Sequence, residues 1–188
     1  MRAQVIQAAR ALLRAEGPQA ITLKAVAAEA GVTHGNVTYH FGTVAALHTA
    51  LIATIIEDIT SATAAAVAHL RQGEMSVRDV VDVVFDAFSA GGAGRLVAWL
   101  AATGAGHRLA PLYAIIADLV GGLAEDDAGR RAGGADAIGL MMAAIVVPAL
   151  GESLIGAGLE AGLGLEQGAV RRFVTDGQAR LRETRPGG

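Results

Sequence analysis

Polar and aromatic side chains suited to hydrogen bonding cluster near the N-terminus, in the stretch TLKAVAAEAGVTHGNVTYHF from Thr22 to Phe41. Asparagine can pair with an adenine edge and threonine can touch a thymine methyl group, while tyrosine, histidine or lysine can reach a phosphate oxygen. These residue types suit contacts with double-stranded DNA. The candidate DNA-contacting residues are Thr22, Lys24, Thr33, His34, Gly35, Asn36, Thr38, Tyr39 and His40.

Two short helices must position these side chains. Thr22 is a good N-cap for a helix over 23–30, and Thr33 is a good N-cap for a second helix over 34–40. Gly31 between them suits the left-handed turn that ends a helix. Buried residues should turn the polar ones outward, because residues four apart share a helix face. The predicted inward-facing residues are Val26, Val32, Val37 and Phe41.

Other interpretations of single residues stay open. Taken alone, Tyr39 and His40 could be half-buried surface groups, and the pair His34 and His40 could ligate a metal. The chain has no cysteine, and no HExxH pattern occurs. We therefore expect no metal site and no cofactor.

The N-terminal segment resembles the DNA-binding domain of the TetR/AcrR family of bacterial transcription regulators. The matching elements are a first helix with Ala8-Ala9 and Leu12-Leu13, then Gly17, the run 22–27, the run 30–33, the run 37–41 and Leu47. This resemblance implies a helix-turn-helix whose second helix enters the major groove. It covers about 45 residues; the rest of the chain is similar only in length and helical character.

Two positions depart from the family pattern. Thr38 stands where the family usually has tyrosine. Val44 stands where the family usually has a lysine that grips a phosphate, in the run Thr43-Val44-Ala45. Loss of one cationic contact should make DNA binding weaker and less sensitive to salt.

The charge of the chain is distributed unevenly. The net charge is −3, yet residues 1–50 hold four basic side chains against two glutamates, whereas the remaining residues are acidic overall. A positive N-terminal part is what a DNA-contacting unit requires. Residues 1–14 are interrupted by arginine and glutamine and lack a secretory apolar core, so we expect a cytoplasmic protein.

Apolar periodicity predicts an all-α fold of about nine helices. An N-terminal three-helix helix-turn-helix domain over residues 1–46 should precede a larger helical effector-binding and dimerisation domain over residues 47–188. The predicted helices span 2–16, 23–30, 34–40, 44–71, 77–90, 95–103, 110–124, 135–157 and 166–182. Pro148 should bend the eighth.

The helix predicted over 135–157 is apolar nearly all round, which the surface of a monomer does not favour. Its uncharged run, Ala137–Gly151, has 15 residues, fewer than the roughly 18–20 that cross a bilayer. We therefore expect an interface helix and no membrane span. The family resemblance implies a homodimer formed by the two C-terminal helices; burial of the helix within one subunit is the alternative.

The resemblance also implies an effector pocket between the middle helices. Aromatic and methionine side chains make an adaptable apolar pocket, and each of them could equally be ordinary core. The candidate ligand-binding residues are Phe85, Phe88, Trp99, His107, Tyr113, Met141 and Met142. A small hydrophobic effector is the expected ligand.

The chain is thus expected to be a ligand-responsive transcriptional repressor that binds a palindromic operator as a homodimer and is released by its effector. One rival is a small helical enzyme, but no paired carboxylates, nucleophile elbow or metal-ligand spacing supports it. The other is a helical small-molecule-binding or interaction protein whose degenerate helix-turn-helix no longer binds DNA.

Overall fold

The structure, a computed structural model, describes residues 1–89, 92–125, 130 and 133–183, with side chains described as far as Gln178. All regular structure in these ranges is helical, which confirms the all-α prediction. Within the described ranges, the α-helices whose bounds the structure defines are α1 Arg2–Ala15, α2 Leu23–Glu29, α3 His34–Phe41, α4 Val44–Arg71, α5 Val77–Ser89, α6 Ala93–Ala102, α7 Ala110–Glu125, α8 Gly134–Gly162 and α9 Ala169–Glu183.

Most helix ends lie within two residues of the sequence prediction, because they are marked by local signals. Thr22 caps α2 and Thr33 caps α3, as predicted. The predicted last residue of α5, at position 90, lies outside the described residues. Short 3₁₀ helices at Pro18–Ala20 and Gly106–Leu109 were not predicted.

The largest difference concerns α8, which continues to Gly162 through a π-helical turn at Glu152–Gly156. Pro148 lies inside the helix, and the departure from regular α geometry comes one turn later. Gly156 leaves room for Glu152 in the π turn, because a Cβ atom at position 156 would lie 2.6 Å from Cγ of Glu152 and force that side chain to move.

The chain divides into two compact units. One comprises Met1–Asp58 and Ala90–Ala110, and the other comprises Ile59–Ser89 and Pro111–Gly188. The helix α4 contributes its first half to the former and its second half to the latter. The boundary predicted between residues 46 and 47 separates an expected DNA-binding domain from an expected effector-binding and dimerisation domain. That boundary stays a prediction.

The first unit has an apolar core made by α1, α2, α3, the start of α4, and α6. Its fully buried members include Val5, Leu13, Val26, Val37, Leu47, Leu51 and Leu100. Polar contacts fasten α1 to its neighbours within this unit. Gln4 donates to the carbonyl of Ala30 at 2.9 Å, at the C-terminal end of α2. Arg10 forms an ion pair with Asp58 on α4.

In the second unit, α8 packs against α5 and α9. Val81, Phe85 and Ala149 are buried there. Arg171 of α9 lies 2.9 Å from the carboxylate of Asp86 and 5.1 Å above the Phe85 ring, which joins α9 to α5.

Both α4 and α8 are long and apolar enough, by length and composition alone, to cross a membrane. The sequence argument that the apolar run is too short does not hold for the folded α8, because the helix continues past Glu152. Only 17% of its apolar window is buried in the chain, compared with 39% for α4. Most of the apolar window of α8 is therefore at least partly exposed in the single chain, whereas Met142, Ile145 and Ala149 are buried within it.

Candidate nucleic-acid interface

Capping hydrogen bonds fix the turn between α2 and α3. The Thr22 hydroxyl oxygen accepts from the Ala25 amide at 3.0 Å, and the Thr33 hydroxyl oxygen accepts from the Asn36 amide at 3.3 Å. Gly31 has a φ of +66°, which is strained for any residue with a Cβ atom. Each threonine keeps its own O–H as a donor, so both remain able to bind a phosphate oxygen.

Apolar side chains hold α3 against the core of the first unit. Val26 and Val37 are completely buried, Phe41 is 7% exposed, and Val32 is partly buried. Val37 and Phe41 occupy one face of α3, so the opposite face points away from the core.

The outward face of α3 carries the polar side chains identified from the sequence. Tyr39 is 86% exposed, and its ring meets the His40 ring edge-on at 5.2 Å between centroids. Thr38 and His40 are partly buried, and the Thr38 hydroxyl lies 3.4 Å from Nδ1 of His34. The exposed members of the set are Thr22, Lys24, Thr33, His34, Gly35, Asn36 and Tyr39.

The structure therefore brings all nine predicted DNA-contacting residues to α3 and the adjoining start of α2. A helix face of this kind, with amide, hydroxyl and imidazole groups on a rigid apolar support, can present hydrogen-bonding groups to base edges and phosphates. The DNA contacts themselves stay a prediction.

A cation that sequence reasoning missed lies at the C-terminal end of α3. The guanidinium carbon of Arg2, on the first turn of α1, is 5.0 Å from the centroid of the Phe41 ring. Arg2 is exposed, whereas Phe41 belongs to the core. The two residues are 39 positions apart, so no local sequence signal could have paired them.

His48 connects three segments of the first unit. Its Nε2 lies 3.3 Å from the Ile21 carbonyl oxygen, just before α2, and its ring meets Trp99 of α6 edge-on at 5.3 Å. Burial lowers the pKa of His48, and the positive charge of Arg108 lowers it further, while the Ile21 carbonyl acts in the opposite direction. The imidazole is therefore biased toward its neutral form.

The candidate ligand-binding residues are divided between the two units. In the first unit, Trp99 is partly buried and His107 is exposed. In the second, Phe85, Phe88 and Met142 are buried, Met141 is partly buried and Tyr113 is 60% exposed. This set stays a prediction. No group of three histidine or carboxylate side chains in the described ranges is placed to hold a metal ion.

Comparison with known families bears on the helix-turn-helix. Residues 5–51 match the family model described as bacterial regulatory proteins, tetR family. The N-terminal domain belongs to the tetR family. The sequence resemblance is thereby confirmed for the part of the chain that contains α2, α3 and the first residues of α4.

Solved structures extend the similarity in fold to most of the chain. The multidrug binding protein EbrR, crystallised with imidazole, is 23% identical, with a TM-score of 0.63, over 96% of this chain and 93% of its own. A TetR transcriptional regulator from Legionella pneumophila is 16% identical, with a TM-score of 0.61, over 92% of this chain and 94% of its own. No curated protein sequence matches the chain. The chain thus has the fold of TetR regulators, an N-terminal tetR-family domain followed by a larger helical part.

Proposed function

We propose that this protein is a transcriptional repressor that binds a palindromic operator as a homodimer and leaves it when a small hydrophobic effector binds. The polar outward face of α3 is the observation that carries the proposal. Tyr39 is 86% exposed on that face, yet α3 itself is anchored by Val37 and Phe41. Exposed aromatic and amide groups on a rigid helix are what a major-groove reader requires.

The second step is the homodimer, and the exposed surface of α8 supports it. Leu140 is 73% exposed, Val147 68% and Leu154 44%, and these residues recur every seven positions along the helix. Such a seam is typical of helices that pack against another helix. A two-fold dimer also places two copies of α3 opposite the two halves of a palindrome.

A bilayer would be a poor cover for this surface. The helices packed against α8 carry charged side chains, including Asp82 and Asp86 on α5 and Arg171 on α9. Charged groups are costly at membrane depth, whereas a second copy of the chain buries only the apolar seam. We therefore propose a dimer interface and a cytoplasmic location.

The third step is release by an effector. EbrR, whose fold is similar, is described as a multidrug binding protein, and the candidate pocket residues here are aromatic side chains and methionines, with one histidine. Within the first unit, Trp99 touches His48, which in turn approaches the Ile21 carbonyl next to α2. A ligand that moved α6 would therefore disturb the support of the helix-turn-helix, provided that it bound the two states with different affinity.

One observation favours the second candidate, a helical binding protein that no longer contacts DNA. Val44 is 40% exposed and uncharged at the first position of α4. Selection from random genomic fragments at about 0.1 M salt, an ionic strength at which surface charges still act over about 10 Å, separates the two. Recovery of a palindromic sequence supports the regulator, and recovery of none contradicts it.

A matched pair of substitutions tests the role of α3. Tyr39→Ala should weaken operator binding by about 1.5–3 kcal/mol, the contribution of a hydrogen bond to a charged phosphate, without loss of the dimer. Ile115→Ala removes an apolar side chain that is also exposed but lies on α7, outside every proposed site, and should leave the operator affinity unchanged. An unchanged affinity for Tyr39→Ala in a gel shift would remove Tyr39 from the interface.

A further inference from the structure

Arg2 is held beside the end of α3 by a contact that leaves its hydrogen-bonding capacity free. Its guanidinium carbon lies 5.0 Å from the centroid of the Phe41 ring, and Phe41 is fixed in the core. A cation–π contact involves no hydrogen-bond acceptor on the ring edge, so the guanidinium N–H groups can still donate to an anion. The cation is thus positioned by the ring and remains available to an anion.

Arg2 forms no ion pair with a carboxylate in the described part of the chain. The acidic residues among positions 1–50 are Glu16 and Glu29. The arginines that do form ion pairs there include Arg10, Arg78, Arg171 and Arg172. Residues 42–46, which follow α3, contain no cation.

We propose that Arg2 is a DNA-phosphate contact at the C-terminal end of α3, and this inference rests on the proposed DNA-binding function. The polar face of α3 would meet base edges, whereas a cation beyond the last residue of the helix meets the strand that borders the groove. Arg2 thereby supplies, from α1, the positive charge that Val44 does not supply from α4.

The number of phosphate contacts is measured by the dependence of affinity on salt. The logarithm of the association constant falls with the logarithm of salt concentration by about 0.9 for each phosphate neutralised. Arg2→Gln should reduce that slope by about 0.9 for each protomer on the duplex. When salt is raised from about 50 to 200 mM, the ratio of the wild-type association constant to that of the variant should therefore fall about 3.5-fold per protomer.

The experiment uses the full chain and a short fluorescein-labelled duplex of arbitrary sequence, because phosphate contacts do not depend on sequence. Fluorescence anisotropy is recorded at several salt concentrations. Arg14→Gln is the matched control, since Arg14 is an exposed arginine at the other end of α1, about 18 Å along the helix from Arg2. Arg2→Lys keeps the charge, and circular dichroism checks that every variant is folded.

A smaller slope for Arg2→Gln, with wild-type slopes for Arg14→Gln and Arg2→Lys, is the expected result. A wild-type slope for Arg2→Gln, or an equal reduction for Arg14→Gln, overturns the role of Arg2 while leaving the proposed function intact. Failure of the wild-type protein to bind the duplex at any salt concentration contradicts the proposed function and this inference with it.

Discussion

Replacing Leu140 with alanine should weaken the proposed dimer strongly, because Leu140 is 73% exposed on the α8 seam. The substitution removes three carbons, and each buried CH₂ group contributes about 0.8 kcal/mol. Scaled by the exposed fraction, the loss is about 1.8 kcal/mol per protomer if the dimer buries the side chain completely. The two-fold axis doubles it to about 3.5 kcal/mol, which weakens dimerisation about 300-fold.

Sedimentation equilibrium of the wild-type protein and of Leu140→Ala over a range of concentrations measures this change directly. Val44→Ala serves as the control, because Val44 is also a partly exposed apolar residue but lies at the start of α4. A dimer dissociation constant within about threefold of wild type would exclude Leu140 from the interface. If the wild-type protein stays monomeric at every concentration, the proposal that a second copy of the chain packs against α8 is refuted.

Two further predictions concern His48, which connects Ile21 to Trp99 in the first unit, and Gly156 in the π turn of α8. The pKa of His48 in the folded protein is lowered below its ordinary value of 6.5. As the pH falls, the imidazole is therefore protonated in the unfolded chain before it is protonated in the folded one. The free energy of unfolding should consequently fall as the pH drops from 6.5 toward the folded-state pKa. His48→Gln, which keeps a donor for the Ile21 carbonyl, should flatten this dependence in thermal melts, and an unaltered pH profile would count against His48. Gly156→Ala should lower the melting temperature, since its Cβ atom would lie 2.6 Å from Cγ of Glu152. Gly158→Ala in the same helix meets nothing within 4 Å and should stabilise by roughly 0.5–1 kcal/mol; equal effects of the two substitutions would contradict the steric argument.

The helix-turn-helix could be predicted in detail because its signals are local. The caps Thr22 and Thr33, the turn at Gly31 and the four-residue spacing of Val37 and Phe41 all act within about one helical turn. Backbone geometry then decides which side chains point outward. Local signals of the same kind predict the other helices of the described ranges, and most of their ends lie within two residues of the predicted ones.

The sequence was less informative about α8, because a helix that is apolar nearly all round has no periodicity that marks its outer face. The structure shows that most of the apolar surface of α8 is at least partly exposed. It also shows that the helix continues through a π turn at Glu152–Gly156 and ends at Gly162. The predicted end at residue 157 was therefore too early. The residues that α5 and α9 leave uncovered are known only once those helices are packed.

By itself, the sequence determined the all-α fold, the helix-turn-helix and the outward residues of α3, since each depends on hydrogen bonds and spacings between near neighbours. Tertiary structure alone decided that Arg2 lies over Phe41 and that His48 joins Ile21 to Trp99. These partners are far apart along the chain, and no residue type or spacing links them. Their contacts exist because the apolar faces of α1, α3, α4 and α6 must be buried together.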